Sequence, residues 1–329
     1  MTSTDNKKKA LLMVIIAIII FSTFEVVSKT MGDVLSGTAL TFYRFLIGGL
    51  VLLPFSIRDL KNRQFHFTPK IVLALFFFGF VLVAAIMTLA QYGIYYSDAS
   101  ICAVIFSSNP IFVTIFAVII LKESLTKYKS YGLIIGSAGL FICVLHFFVD
   151  GNITSTFGLG VLLQILSMLM FCIYTVLNSK YLVSRMGALS VTTFTSIFGA
   201  ITLFPIVFAQ SFATDTNLFT FDVLSVLPKF LYISIIGTGL AYAMYFSGLS
   251  KIETSTGSMI FMAKPPLASI FAAIFLNETI GINIIIGIVL IIAAMIIATK
   301  LPTIQKGHEY EKTRDYYPTG ESETAEGHS

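Results

Sequence analysis

The chain has 329 residues, of which 56% are hydrophobic and only 12% charged, with a mean hydropathy of +0.90 and a formal net charge of +4. Soluble domains are about one quarter charged, so a water-soluble globular fold is excluded, and apolar runs that are continuous rather than alternating exclude a transmembrane β-barrel. The three cysteines lie inside apolar runs without zinc spacing, so neither a disulfide framework nor a metal site is expected.

A helix needs roughly 20 apolar residues to cross the hydrocarbon layer. Residues 1–9 form a polar, basic N-terminus with Lys7, Lys8 and Lys9. The run that follows, Ala10–Ser28, has no small-residue cleavage pattern, so it predicts an uncleaved first helix rather than a signal peptide. Four more runs follow: Gly37–Ile57, Ile71–Ile94, Ala99–Leu121 and Tyr131–Val149. A short polar linker, 150–156, leads to a second set of five: Phe157–Leu177, Val191–Ala209, Leu224–Leu249, Ser255–Leu276 and Ile280–Ala298. The expectation is an all-α integral membrane protein of ten transmembrane helices, in units 10–149 and 157–299. The segment 300–329 is polar and glutamate-rich and predicts a disordered tail.

Lysine and arginine set the orientation. With the N-terminus inside, Lys7, Lys8, Lys9, Arg58, Lys61, Arg63, Lys70, Lys122, Lys127, Lys129, Lys180, Arg185 and Lys251 fall on the inner side, as do the basic residues from Lys300 onward. The outer ends hold only Lys29 and Lys229. This positive-inside bias predicts both termini in the cytoplasm and a multi-pass protein of the plasma membrane.

The two units repeat each other. Ser28-Lys29, Gly48 and Pro54 recur 151 residues on as Ser179-Lys180, Gly199 and Pro205. Gly93, Ser100, Pro110, Glu123 and Gly132 recur 155 residues on as Gly248, Ser255, Pro265, Glu278 and Gly287. Five crossings per unit is an odd number, so the second unit starts on the opposite side and the halves are inverted. Inverted repeats are a recurring design of secondary transporters.

The repeated motifs carry a resemblance. Phe42-Tyr43-Arg44-Phe45, Asn109-Pro110, Leu121-Lys122-Glu123-Ser124-Leu125-Thr126 and Gly132, with Lys264-Pro265, Leu276-Asn277-Glu278-Thr279 and Gly287 in the second unit, resemble the EamA-type, ten-helix transporters of the drug/metabolite transporter superfamily. The resemblance spans about residues 10 to 300. It implies secondary transport, often export of amino acids or other small metabolites, through a central cavity between the halves and without a covalent cofactor. Asn277 stands where the first motif has Lys122, a departure that suits an outer position.

Three charges sit within the runs: Glu25, Arg44 and Lys264. Each costs on the order of 2.5–3.5 kcal/mol at a helix centre, and their repeat partners Val176, Thr195 and Asn109 are uncharged. A scaffold requirement would recur in both halves, so these residues point to substrate or ion handling. Counting 1.5 Å per residue puts Arg44 and Lys264 near the midplane and Glu25 nearer the outer face. Lys264, beside Pro265-Pro266, is the leading candidate for a substrate carboxylate or phosphate. Glu25 reads either as a proton-coupling carboxylate or as an ion-pair partner of Arg44. Asn109 and the deeper tyrosines Tyr43, Tyr174 and Tyr242 complete the expected binding set. Gln91 and Asn178 could bond across helices or meet substrate.

Glu123 and Glu278 follow helix ends and precede the next helix, where they are expected to cap free N–H groups. Together with Pro110 and Pro265 they are read as structural motif positions. Gly132, Gly136 and Gly139 predict close helix contact, either within the chain or in a homodimer. No GxxxxGK loop, HExxH motif or Ser-His-Asp set occurs, so an enzyme is not expected. The expected partners are a small-molecule substrate and the lipid bilayer, with protons or a counter-substrate as coupling species and no nucleic acid. The other functions weighed are a proton-coupled transporter of organic cations or drugs centred on Glu25, and a membrane structural or sensor protein without transport.

Overall fold

The computed structural model describes residues 3–31, 34–97, 102–103, 105–106, 108–150, 155–213, 223–252, 260–276 and 282–299. The helices are α1 Ser3–Lys29, α2 Gly37–Asn62, α3 Pro69–Tyr96, α4 Asn109–Leu121, α5 Lys127–Asp150, α6 Ser155–Met186 and α7 Ala188–Ala213. Then α8 runs from Val223–Leu231 through Tyr232–Leu240 to Ala241–Leu249, α9 is Lys264–Leu276, and α10 is Ile282–Thr299. Among the described residues there is no strand, and six helices (α1, α2, α3, α6, α7 and α8) are long and apolar enough to cross a membrane. Glu278 and residues 300–329 lie outside the described residues, as do the side chains of Glu25, Cys143 and His146.

Local chemistry sets the helix starts. The Ser36 hydroxyl accepts from the Ala39 N–H at 3.2 Å to cap α2, and Thr68 does the same for Ile71 in α3, with Pro69 in the first turn. Asn109–Leu121 and Lys264–Leu276 carry Pro110 and Pro265 near their starts. Proline lacks an N–H, which a first turn does not need, and the chain also holds Pro54 inside α2 and Pro205 inside α7. A π-helical stretch interrupts the third helix of each unit, at Phe80–Met87 in α3 and Tyr232–Leu240 in α8.

Packing follows the repeat and crosses between the units. α1 packs on α8 and α9, while its repeat counterpart α6 packs on α3 and α4. α2 packs on α8, and its counterpart α7 packs on α3. The remaining major pairs, α2 with α7 and α5 with α10, join counterparts to each other. Glycines permit the crossings. A Cβ on Gly48 would lie 2.8 Å from the Ser234 carbonyl, and one on Gly79 would lie 2.7 Å from both Gly199 N and Thr195 O. Gly139 meets the Gly287 carbonyl in the same way, so its close contact is internal, between α5 and α10.

Large apolar side chains cover the exterior, and a set of polar residues is buried within a largely hydrophobic core. Leu73, Phe77, Ile119, Phe212 and Ile282 are more than 60% exposed, while Thr41, Gln91, Asn109, Gln164 and Thr193 are fully or almost fully buried. Such an apolar exterior is what a hydrocarbon solvent selects.

Candidate functional site

One cavity is bounded by both units. α2 contributes Arg44, and the first residue of α9 contributes Lys264; they are 2% and 4% exposed. Both line one small cavity, together with Phe21, Phe24, Phe106, Phe171, Phe261 and Tyr242, and with Met87, Ala90, Ile94, Gln164 and Gly237. The Arg44 guanidinium lies over the rings of Phe24 and Phe45, at 4.6 and 4.7 Å. The Lys264 ammonium lies 5.4 Å from the centroid of Phe106 and 5.5 Å from that of Phe261. A ring face attracts a cation, and the attraction strengthens away from water. The rings therefore offset part of the cost of holding two like charges inside the protein.

The backbone around Lys264 explains why a cation can sit at this depth. A one-turn 3-10 helix, Phe261–Ala263, precedes it, and the Lys264 N–H donates to the Phe261 carbonyl. Pro265 and Pro266 follow and carry no amide hydrogen.

Of the expected binding residues, the structure brings Arg44, Lys264 and Tyr242 together. The Tyr242 hydroxyl donates to the Met87 sulfur at 3.1 Å, and its ring meets Phe21 edge-on at 4.9 Å. The other three are placed elsewhere. Tyr43 packs against Phe42 and Phe230, and Tyr174 packs among Phe78, Phe171 and Phe246. Asn109 is fully buried at the start of α4, where its carbonyl accepts from the Cys172 thiol at 3.5 Å. Glu25 lies on α1, one residue beyond Phe24, with its side chain outside the described residues.

Glu123 lies between α4 and α5, where it meets Lys129. The Thr126 hydroxyl accepts from the Lys129 N–H at 3.3 Å, and Glu123 faces the Lys129 ammonium at 3.9 Å. That ammonium also donates to the Ser124 carbonyl at 3.4 Å. Gln91 bonds across helices as anticipated, donating through Nε2 to Ser28 Oγ at 2.7 Å and so tying α3 to α1.

Sequence reasoning missed Gln164 and the ring lining. Gln164 carried a usable signal, being a lone amide in an apolar run. The phenylalanines carried none, because 31 of them are spread along the chain.

Residues 8–145 and 158–300 each match the EamA-like transporter family. The chain is similar to an uncharacterized transporter of Clostridium kluyveri, 27% identical over 84% of this chain and 88% of that one. It is also similar to the uncharacterized transporter YoaV of Bacillus subtilis, 26% identical over 73% and 80% of the two chains. A third relative, the S-adenosylmethionine uptake transporter of Rickettsia prowazekii, is 26% identical over 58% of this chain and 62% of its own. A solved crystal structure superposes with a TM-score of 0.68 at 16% identity, covering 89% of this chain and 97% of the other, which shows a shared fold.

Proposed function

The chain belongs to the EamA-like transporter family, and we propose that it is a secondary active transporter carrying a small anionic or zwitterionic metabolite, an amino acid first, across the plasma membrane by alternating access. The observation that supports this most is the pair of buried cations, Arg44 from the first unit and Lys264 from the second, lining one cavity. An anionic substrate group entering this cavity is drawn to both cations. Because each unit supplies one of them, a substrate bound there senses any movement of one unit against the other, which is what alternating access requires.

The crossed, repeat-related packing supports ten crossings in two inverted units, with residues 10–149 and 157–299 as the repeats and both termini in the cytoplasm. S-adenosylmethionine carries an amino acid group, so the name of the Rickettsia relative accords with a zwitterionic substrate. Export is the direction that the resemblance favours. The ring-lined wall also suits an organic cation, with Glu25 as the proton-coupling group, but Arg44 and Lys264 already face those rings and would repel it.

The test is ligand-induced thermal stabilisation of the purified protein against amino acids, carboxylates, phosphorylated metabolites and organic cations. A ligand that binds only the folded state stabilises it by mass action. Stabilisation by anions or zwitterions, weakened about tenfold or more in apparent affinity by Lys264→Ala, is the expected result. Stabilisation by organic cations, abolished in Glu25→Gln, would overturn it.

A further inference from the structure

We propose that the groove walled by the last turn of α2, the turn between α2 and α3, and the start of α7 holds an anionic phospholipid, its acyl region against Phe65, Phe67 and Phe194 and its phosphate facing Lys61 and His66. The groove lies apart from the Arg44–Lys264 cavity and shares no lining residue with it.

The way α2 ends builds the groove. The Phe65 N–H donates to the Leu60 carbonyl at 3.0 Å and the Gln64 N–H to the Lys61 carbonyl at 3.1 Å. Gln64 lies between them in the left-handed region, at φ 50°. These are the paired bonds of a Schellman turn, which brings the residue after the left-handed one back over the helix. Phe65 accordingly packs on the cluster that contains Leu60. Phe67 stands edge-on to both Phe65 and Phe194, with ring centroids 5.5 and 5.3 Å apart. Glycine is the usual residue at the left-handed position of this turn. Here it is Gln64, whose side chain lines the groove.

The rim is basic and unbalanced. Arg58, Lys61, Arg63 and Lys70 flank the turn and are exposed. The one acid between residues 54 and 97 is Asp59, and Arg63 takes it at 3.0 Å. The facing helix α7 carries no acid at all. Below the rim the surface is apolar: Ile57 and Phe67 are 41% and 46% exposed, and Phe55, Leu73 and Phe77 continue the apolar face along α2 and α3. The groove also stands where two membrane-crossing helices end, so its rings meet the edge of the hydrocarbon and its cations meet the headgroup layer. An exposed apolar surface rimmed by polar groups marks an interaction site. The complement of ring walls under a cationic rim is an amphiphile with an anionic head. Phosphatidylcholine offers the chains, but its choline cancels the phosphate charge. A phosphatidylglycerol headgroup keeps a net negative charge, which basic residues beside a membrane attract. A soluble phosphate would meet the cations and leave the rings uncovered.

The chain contains no tryptophan, so Phe67→Trp puts a sole fluorescent reporter in the groove. The full-length protein is reconstituted into vesicles of phosphatidylcholine mixed with phosphatidylglycerol of the same chains. Each lipid is brominated in turn, and quenching of the tryptophan gives their relative binding constant. At Phe67→Trp, phosphatidylglycerol is expected to be preferred about fivefold or more, the ratio that one basic residue gives beside an anionic headgroup. Adding Lys61→Gln and His66→Gln should bring the two lipids close to parity. Phe141→Trp, on an exposed residue of α5 outside the groove, should show near parity with or without those substitutions. Ile57→Trp, also on the groove, takes the place of Phe67→Trp should that variant not reconstitute. Parity at the groove reporter, an equal preference at Phe141→Trp, or a preference that survives the Lys61 and His66 substitutions overturns the site. Loss of the preference on adding millimolar glycerol 3-phosphate would assign the cations to a soluble phosphate and overturn the lipid as occupant.

Discussion

Gly79 of α3 and Gly199 of α7 meet backbone to backbone, so closely that a Cβ on Gly79 would lie 2.7 Å from the Gly199 nitrogen. The same contact recurs between Gly48 of α2 and Gly239 of α8, where a Cβ on Gly48 would lie 2.9 Å from the Gly239 nitrogen. Gly48 and Gly199 are repeat partners, 151 residues apart. Each unit therefore inserts its third helix against the second helix of the other, and the cavity takes its walls from both.

Gly199→Val and Gly79→Val are expected to lower the apparent melting temperature steeply, because the added atoms meet backbone that cannot rotate away. Overpacking of this kind costs about 1–3 kcal/mol and sometimes more. Gly158→Ala is the control: nothing lies within 4 Å of its Cβ position, and replacing a helical glycine by alanine favours the helix by roughly 0.5–1 kcal/mol. Thermal melts of the three variants in one detergent check the contrast; equal melting temperatures would contradict the crossing geometry.

The α5–α10 pair gives a second case. A Cβ on Gly139 would lie 2.9 Å from the Gly287 carbonyl and from Leu290 Cβ. Gly139→Leu should force α5 and α10 apart and reduce stability by about 1–3 kcal/mol. A cysteine pair placed across this contact would cross-link within one chain, and a cross-linked dimer instead would mean that the contact is made between copies.

Between α4 and α5, Lys129 is 1% exposed and its Glu123 partner 14%. Removing one member of a buried pair strands the other, at a cost on the order of 3–5 kcal/mol when burial is complete. The two single substitutions should therefore differ. Glu123→Gln strands the more deeply buried ammonium and is expected to destabilise more than Lys129→Met, which leaves a carboxylate that water can reach. A double-mutant cycle on melting temperature measures the order.

Arg44→Lys keeps the charge but loses the planar group that lies over Phe24 and Phe45. If Arg44 serves the substrate, this variant should fall between wild type and Arg44→Gln in ligand affinity, each step about three- to tenfold. An Arg44→Gln protein with wild-type affinity would reassign Arg44 to helix packing.

Part of the cavity's lining was legible before any coordinates. Arg44 and Lys264 stood out because charge in an apolar run is costly and their repeat partners were neutral, and both reached the cavity. Tyr43, Asn109 and Tyr174 were chosen for depth, but depth does not give direction: a helix residue at the right height can point to any side. Tyr43 and Tyr174 turn into ring clusters, and Asn109 is buried at a helix start without lining the cavity. Gln164 was overlooked for the same reason, since the face of α6 that it occupies is set by how α3 packs on α6.

The sequence by itself determined the solvent, the helical class and the repeat, because hydrophobic run length, composition and the spacing of glycine, proline and charge are properties of the chain alone. Only the tertiary structure decided that Gly139 packs against Gly287 within the chain, that Thr126 receives the Lys129 N–H, and that Arg44 and Lys264, from different units, line one ring-walled cavity. Those outcomes depend on the rotation of each helix about its axis, which is fixed by side-chain packing between segments far apart in sequence.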